Sequence, residues 1–246
     1  MKRIGLLLAL VLASTAGATA TADPGVTSKT IVLGGTVPLT GPASAFGSVG
    51  PGAKAYFDYV NATQGGVNGR KIKYVYYDDE YNPALTVQRT RQLVEQDKVF
   101  AIFNTVGTNN NKAIQPYLNQ RRVPQLFVGD GSQNASLPAR YPWTMGFLQS
   151  YVGEGAVYGR HLAQTRKSAK LAVLFENTDL GTDLTKGLER WIAGKGPKVV
   201  GKESFEYTDT DVSSQVAKLK ASGADTLMLF ASPQFAIQGF AAANRL

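Results

Sequence analysis

The feature that most constrains the fold is an alternation of short apolar segments with amphipathic ones along most of the chain. Residues 31–37 are typical of a buried strand, and after them Ala53, Tyr56, Phe57 and Val60 recur at the spacing of one helix face. Further strands are predicted at residues 72–77, 99–103, 124–128, 170–175, near 199 and at 226–230. Strands that alternate with helices form parallel sheets covered on both faces, so the sequence predicts an α/β fold.

The alternation is interrupted once, which predicts two structural units. Residues 134–147 form a proline-containing, irregular segment between two runs of the same pattern. We therefore expect a first α/β lobe at residues 23–143 and a second at residues 144–246. The chain stops at Leu246 within a helical pattern and leaves the second sheet with three predicted strands, so we expect a fragment whose second lobe is incomplete.

The first 22 residues have the pattern of a secretory signal peptide. Lys2 and Arg3 precede an apolar run at residues 4–13, and alanines at 18, 20 and 22 offer cleavage sites. The run is shorter than the roughly 20 apolar residues of a membrane helix, so we expect export of the mature chain. The sequence has no Cys, and disulfides are therefore excluded despite that compartment.

The net charge does not indicate a nucleic-acid partner. The formal charge is +8, of which Lys2 and Arg3 contribute two, and the remaining basic residues are scattered in short pairs such as Arg121 and Arg122. A nucleic-acid or membrane footprint is normally clustered, so we interpret these side chains as solvated surface.

Three polar loops are the candidate binding elements. Residues 40–50, 104–111 and 129–134 each follow a predicted strand and combine Gly with Ser, Thr or Asn. In open parallel sheets, ligands bind at the carboxyl ends of strands, where helix N-termini offer free N–H groups. The alternative for each loop is a simple strand-to-helix turn with capping residues.

Catalytic signatures are missing from the sequence. It contains no P-loop, no nucleophile elbow and no H-E-x-x-H motif. The single histidine, His161, is predicted on a helix surface, and one His without Cys does not build a typical zinc site.

An acidic triplet could suggest a metal or acid–base site, but its position favours a structural role. Asp78, Asp79 and Glu80 lie at a strand end just before Asn82 and Pro83, a predicted helix cap and first turn. We therefore predict turn formation and capping there, with a helix continuing to about residue 97.

The order of several segments resembles one protein family. They are PLTGPASAFG at 38–47, GGVNGRKIKYVYYDDEYNP at 65–83, FNTVGTNNN at 103–111, VPQLFVGDGS at 123–132 and YPWTMGF at 141–147. In this order, behind a signal peptide, they resemble the periplasmic substrate-binding proteins of branched-chain amino acid type ABC transporters, the leucine/isoleucine/valine-binding-like group. The resemblance covers nearly all of residues 28–246.

The resemblance implies a fold and a ligand site. The fold is that of type I periplasmic binding proteins, with two Rossmann-like lobes that close over a ligand by hinge motion. The implied ligand-binding residues are Phe46, Gly107, Thr108, Gly129, Gly131 and Ser132. Phe46 would cover the ligand, and Thr108 with nearby N–H groups would receive its carboxylate. Alternatives are a loop anchor for Phe46 and helix capping for Thr108 and Ser132.

The resemblance also implies partners and a ligand class. We expect a monomeric periplasmic protein that is not an enzyme, uses no cofactor or metal, and delivers an amino acid, amide or organic acid to a membrane permease. A ligand sensor of the same fold and an exported hydrolase are the alternatives. Leu180 and Ser232 stand where amino-acid binders often carry aromatics, and the acid expected to hold the ligand's ammonium group would lie beyond Leu246. Asp130, unusual in its loop, could replace that charge or repel an anionic ligand.

Overall fold

A computed structural model describes residues 23–246, which fold into two parallel sheets covered by helices. The first sheet has the order β2-β1-β3-β4-β5 and the second the order β7-β6-β8. The strands are β1 (Thr30–Val37), β2 (Lys71–Asp78), β3 (Ala101–Phe103), β4 (Gln125–Val128), β5 (Thr144–Gly146), β6 (Lys170–Glu176), β7 (Lys198–Phe205) and β8 (Thr226–Phe230). The helices are α1 (Val49–Thr63), α2 (Pro83–Glu95), α3 (Thr108–Arg121), α4 (Tyr151–Thr165), α5 (Asp179–Ile192), α6 (Ser213–Ala221) and α7 (Pro233–Arg245).

We call β1–β5 with α1–α3 lobe 1, and β6–β8 with α4–α7 lobe 2. Both sheets pair in parallel throughout, which confirms the predicted α/β class. The signal-peptide prediction falls on residues 1–22, outside the described part of the chain. Within residues 23–246, none of the helices has the length and apolar character needed to cross a bilayer.

Lobe 1 is held together by a buried cluster between its sheet and α2 and α3. Leu93, Ile102 and Leu118 are completely buried there. The Asn82 side chain accepts hydrogen bonds from the Ala84 and Leu85 amides, which confirms the predicted cap of α2. The helix ends at Glu95, slightly earlier than predicted.

One prediction about lobe 1 was wrong. Residues 134–147 are not wholly irregular, because β5 pairs with β4, from Gln125 to Thr144 and from Val128 to Gly146. A three-residue strand is too short to produce a visible periodicity. Tyr56, which the spacing places on the same face of α1 as Val60, is 63% exposed, so this face is only partly buried.

Lobe 2 is built on a close contact between α4 and α5. Gly155 lies so near the α5 backbone that an added Cβ would be 2.0 Å from the Leu184 carbonyl oxygen, and one on Gly187 would be 2.1 Å from that of Val152. These two glycines let the helix backbones touch. The apolar side chains of both helices then pack on β6, around Leu171, Val173 and Leu188.

Candidate functional site

The candidate site lies where loops of lobe 1 meet helix N-termini of lobe 2. The loops after β3 and β4 are joined by backbone hydrogen bonds, from the Gly129 amide to the Thr105 carbonyl at 2.9 Å and from the Gly107 amide to the Gly129 carbonyl at 3.3 Å. The first amide of α4, from Tyr151, donates to the Gly131 carbonyl at 2.8 Å. Five of the six implied residues, Gly107, Thr108, Gly129, Gly131 and Ser132, are thereby brought together.

Two glycines in this cluster are required by their surroundings. Gly107 has φ +108°, and an added Cβ would lie 2.7 Å from the Tyr81 ring. A Cβ on Gly131 would lie 2.4 Å from the Gln149 carbonyl oxygen. The backbone therefore approaches its neighbours more closely than any residue with a side chain allows.

The Thr108 hydroxyl is a buried polar group of the site that lacks a hydrogen-bond partner within the described part of the chain. Thr108 is the first residue of α3 and is 2% exposed, yet its oxygen has no hydrogen-bond partner among residues 23–246. It still faces the Asp130 carboxylate and the Tyr151 hydroxyl closely enough to lower the pKa of both, against the larger raising effect of burial. Gly107 rather than Thr108 occupies the N-cap position, and no side chain caps α3. The capping alternative therefore does not account for this hydroxyl.

Ser132 forms hydrogen bonds with Asp130 and does not cap a helix. The Ser132 amide donates to Asp130 Oδ1 at 2.8 Å, and its hydroxyl donates to Asp130 Oδ2 at 2.9 Å. Both residues are buried, at 3% and 2% exposure. Burial raises the pKa of Asp130 above its ordinary value of 3.8, and the nearby Asp179 adds to this effect.

Phe46 belongs to a different loop, the one that follows β1. It ends a short 3₁₀ helix at Ser44–Phe46 and is 39% exposed. Among the described residues it makes no ring contact with another aromatic side chain. Its loop is fixed from the other side, because Asp78 accepts hydrogen bonds from the Leu39 and Thr40 amides. Phe46 is therefore a partly free aromatic group on an anchored loop.

Sequence reasoning missed Tyr81, which lines the same space. Tyr81 is 8% exposed, and its ring packs edge-on to Tyr207 of lobe 2 with centroids 6.3 Å apart. Its pKa is raised well above 10.0, first by burial and then by the negative charges of Glu176, Asp130 and Asp79. The sequence predicts only turn formation and helix capping for this stretch, which directly follows β2. The turn itself is present, since Asp79 Oδ1 accepts from the Tyr81 amide at 3.1 Å.

Glu176 was also missed, although it ends a buried strand. It is 1% exposed at the last position of β6. The Thr178 hydroxyl lies 3.3 Å from Oε1, and the Ser232 amide donates to Oε2 at 3.4 Å. Both contacts are long for hydrogen bonds to a carboxylate. Like the candidate loops of lobe 1, Glu176 lies at the carboxyl end of a parallel strand, where ligands bind in such sheets.

Polar contacts join the lobes at the outer side of the site. Lys112 Nζ lies 2.9 Å from Asp179 Oδ2, and the Asn134 side-chain amide donates to the same oxygen at 2.6 Å. The Gln133 amide donates to Asp183 at 3.0 Å. The open groove here has a volume of about 510 Å³ and is lined by Ser132, Gln133, Asn134, Ser136, Leu137, Ser150, Asp179 and Asp183.

A metal site is not apparent in this part of the molecule. Within residues 23–246, no three His, Asp or Glu side chains are grouped so that they could hold an ion. His161 is exposed on α4, as expected for a surface residue. The arrangement offers hydrogen-bonding groups, helix N-termini and an aromatic rim, which suit reversible binding of a small molecule.

Comparison with known sequences identifies the family. The sequence pattern of the periplasmic binding protein family matches residues 30–246. The chain belongs to this family. This periplasmic binding protein is 28% identical over 205 residues to the Leu/Ile/Val-binding protein homolog 2 of Brucella abortus strain 2308, which covers 82% of this chain and 54% of that protein. It thus spans about half the length of the curated relatives it matches.

Solved structures agree with this assignment. A substrate-binding periplasmic protein from Ralstonia solanacearum aligns with a TM-score of 0.79 at 26% identity, over 87% of this chain and 60% of that one. A fatty acid ABC transporter substrate-binding protein from Thermomonospora curvata gives a TM-score of 0.74 at 25% identity, over 84% of this chain and 52% of that one. The resemblance found in the sequence and the predicted type I periplasmic binding protein fold are both confirmed.

Proposed function

We propose that this protein is the extracytoplasmic substrate-binding component of an ABC transporter. It captures a small amino acid, amide or organic acid between its lobes and delivers it to a membrane permease. The observation that carries this proposal is the convergence of lobe 1 loops and lobe 2 helix N-termini around the unpartnered Thr108 hydroxyl. A buried hydroxyl without a hydrogen-bond partner costs free energy, and a ligand group that hydrogen-bonds to it would remove that cost.

Phe46, Gly107, Thr108, Gly129, Gly131 and Ser132 form the proposed ligand contacts. The loops after β3 and β4 supply the polar face, and Phe46 covers the opposite side as an aromatic rim. Closure of the lobes removes water from the ligand, which strengthens each polar contact. No covalent step is required.

Delivery to a permease requires that the bound form differ in shape from the empty one. The contacts of Asp179 with Lys112 and Asn134 exist only when the lobes are close together, because Asp179 belongs to lobe 2 and its partners to lobe 1. A ligand that bridges the lobes therefore favours the same arrangement. Residues 1–22 would direct the protein across the inner membrane, as a signal peptide.

The relatives of this chain are named for different ligands. One is named for leucine, isoleucine and valine, and another belongs to a fatty acid transporter.

The test combines binding with uptake. Purified protein is titrated with amino acids, amides and aromatic acids, and its thermal unfolding is followed. A ligand at about 100 times its dissociation constant adds roughly 2.7 kcal/mol of stability. A strain lacking the gene is then assayed for uptake of the compound that binds. Loss of uptake supports transport, intact uptake contradicts it, and the absence of any binding contradicts the binding function itself.

A further inference from the structure

The fold gathers basic side chains into one open groove on lobe 2. The groove has a volume of about 450 Å³ and is lined by Arg160, Ala163, Gln164, Lys167, Trp191 and Lys195. We call these residues the basic groove. Its three cations come from α4, from the loop after α4 and from the loop after α5, so their clustering is visible only in the fold.

The basic groove lies toward the opposite ends of α4 and α5 from the candidate ligand site. Both helices begin at that site, where the Tyr151 amide donates to the Gly131 carbonyl and Asp179 pairs with Lys112. α4 has 15 residues, so its two ends are about 20 Å apart. A partner on the basic groove would therefore leave the cleft open to its ligand.

The positive charge of the basic groove is not neutralised by nearby acids. None of the ion pairs formed within residues 23–246 includes Arg160, Lys167 or Lys195. Glu189, the last acid of α5, is already paired with Lys202 at 2.9 Å. The groove therefore presents a positive field to the solvent.

Two further lysines extend this charge to the start of the sheet. Lys170 begins β6 and Lys198 begins β7, and the two are exposed partners in the register of these strands. Asp225, which lies at the same end of lobe 2, pairs with Arg166 at 3.6 Å, so these two charges offset each other. An anionic partner is the complement of such a surface.

Stabilisation of helix ends does not explain the cluster. Cations interact favourably with the last turn of a helix. Within Tyr151–Thr165, however, the last turn of α4 has no basic residue, and the last turn of α5 has Arg190, which does not line the groove. The cations of the groove are therefore free to serve another purpose.

Trp191 gives the basic groove an amphipathic aromatic ring. Trp191 is 36% exposed, and its base is held by α4, since a Cβ added to Gly159 would lie 2.9 Å from the Trp191 Cβ. Lys195 Nζ lies 4.1 Å from the ring centroid, so one ring face is not free to stack on a nucleic-acid base. Trp, Lys and Arg are the side chains that suit a lipid headgroup region, because each joins an apolar body to a polar tip.

We propose that the basic groove binds the anionic surface of a lipid bilayer, with Trp191 among the headgroups and Arg160, Lys167 and Lys195 against their phosphates. The contact keeps the protein beside the membrane while the cleft stays open. It goes beyond the proposed function and does not depend on the identity of the ligand. Each basic residue near an anionic bilayer strengthens binding roughly fivefold, so the contact is reversible and weakens with salt.

Vesicle sedimentation tests the dependence on lipid charge. Protein recovered after export is used, because the apolar residues 4–13 would themselves enter lipid. Binding to vesicles that contain phosphatidylglycerol should be roughly tenfold tighter than binding to phosphatidylcholine vesicles, and high salt should remove the difference. Equal binding to both kinds of vesicle, or binding to neither, overturns the inference. The proposed function is then unaffected, because the soluble ligand titration tests it separately.

Two triple variants of equal net charge locate the contact. Arg160→Gln, Lys167→Gln and Lys195→Gln in one protein should weaken binding to the anionic vesicles on the order of 100-fold. The control replaces by glutamine three exposed lysines of lobe 1 that form no ion pair within residues 23–246, namely Lys29, Lys73 and Lys98. Equal weakening by both variants would mean that binding follows net charge alone, which overturns the inference. Thermal unfolding checks that both variants fold.

The fluorescence of Trp191 reports the contact directly. The sequence has two tryptophans, so Trp143→Phe leaves Trp191 as the single reporter. Its emission should move to shorter wavelength with phosphatidylglycerol vesicles and stay unchanged with phosphatidylcholine vesicles. Binding to the anionic vesicles without this shift overturns the inference. A shift with heparin and none with vesicles would assign the groove to a soluble polyanion, and this result overturns the inference as well.

Discussion

Asp130 accepts both of its hydrogen bonds from Ser132, at 2.8 Å from the amide and 2.9 Å from the hydroxyl. This local pairing changes the role that the sequence suggests for Ser132. The resemblance implies that Ser132 contacts the ligand, but its hydroxyl proton is donated to Asp130 within the loop. Ser132 therefore positions Asp130 and offers a ligand only its acceptor lone pairs.

Asp130→Asn is expected to raise stability at neutral pH. Burial raises the pKa of the folded-state carboxyl above 3.8, so the folded protein holds this proton to higher pH than the unfolded chain does. The free energy of unfolding therefore falls as the pH rises from the unfolded pKa through the folded one, and this loss persists above that window. Asparagine does not ionise, so Asp130→Asn does not lose this free energy of unfolding as the pH rises.

Urea unfolding of the wild type and of Asp130→Asn at several pH values measures the difference in their free energies of unfolding. The stability difference should favour the variant, grow with pH across that window and then stay constant. A difference that shrinks as the pH rises would mean that the folded protein stabilises the ionised carboxylate.

Thr108→Val is expected to separate stability from binding. The substitution removes a buried hydroxyl that has no partner, so the free energy of unfolding should rise by about 1 kcal/mol. Ligand affinity should fall, because the hydroxyl is proposed to be satisfied by the ligand. Denaturant unfolding and calorimetric titration measure the two quantities.

Thr86→Val is the matched control for that substitution. The Thr86 hydroxyl lies 2.9 Å from Asp79 Oδ2 and accepts from the Asn110 side chain at 2.7 Å. Its removal should destabilise the protein by about 2 kcal/mol. Equal destabilisation by both variants would mean that the Thr108 hydroxyl is paired in solution.

Phe46→Ala is expected to weaken ligand binding about tenfold, roughly 1.4 kcal/mol, with little change in melting temperature. The side chain is 39% exposed and belongs to none of the buried clusters, so its loss leaves the core intact. Phe240→Ala removes a 70% exposed ring from α7 and should change neither quantity. Unchanged affinity in Phe46→Ala would return this residue to the loop-anchor alternative.

Asp179→Ala is expected to favour separation of the lobes. It removes the contacts with Lys112 and Asn134, the first of which is solvent-exposed and worth less than about 1 kcal/mol. Small-angle scattering should show a larger radius of gyration, and affinity should fall a few-fold. Glu189→Ala breaks the Lys202 pair within lobe 2 and serves as the control. The same radius in both variants would show that the Asp179 contacts do not hold the lobes together.

Gly155→Ala is expected to destabilise the protein by more than 2 kcal/mol, because the new Cβ would lie 2.0 Å from the Leu184 carbonyl oxygen. Gly153→Ala, in the same helix, would place its Cβ 3.8 Å from the nearest atom and should stabilise the helix by up to about 1 kcal/mol. Thermal or urea unfolding compares the two. Similar stabilities would mean that α4 and α5 separate easily.

The fold was largely predictable because local signals and global pattern agree. Asn82 and Pro83 mark a helix start through their own chemistry, and the apolar runs of β1 and β6 need no knowledge of their partners. The short strand β5 was missed, because only its pairing with β4 makes it a strand.

The site was predictable in part, because ligands bind at the loops that follow the carboxyl ends of parallel strands. The cluster around Thr108 is formed by such loops. Tyr81 was not predictable, since it and Glu80 both adopt positive φ, 59° and 53°, which non-glycine residues rarely do. Glu176 was not predictable either, because a single acidic residue at a strand end forms no recognisable sequence motif. Its burial depends on the packing of lobe 2.

The glycine contact between α4 and α5 has a mechanical consequence for lobe 2. Tyr151 begins α4 and touches the Gly131 loop, while Asp179 begins α5 and holds Lys112 and Asn134. Because the helix backbones touch at Gly155 and Gly187, the two helix starts cannot shift independently. The two helix starts are therefore expected to move as one rigid unit, so that a displacement of Tyr151 also displaces Asp179 relative to Lys112 and Asn134.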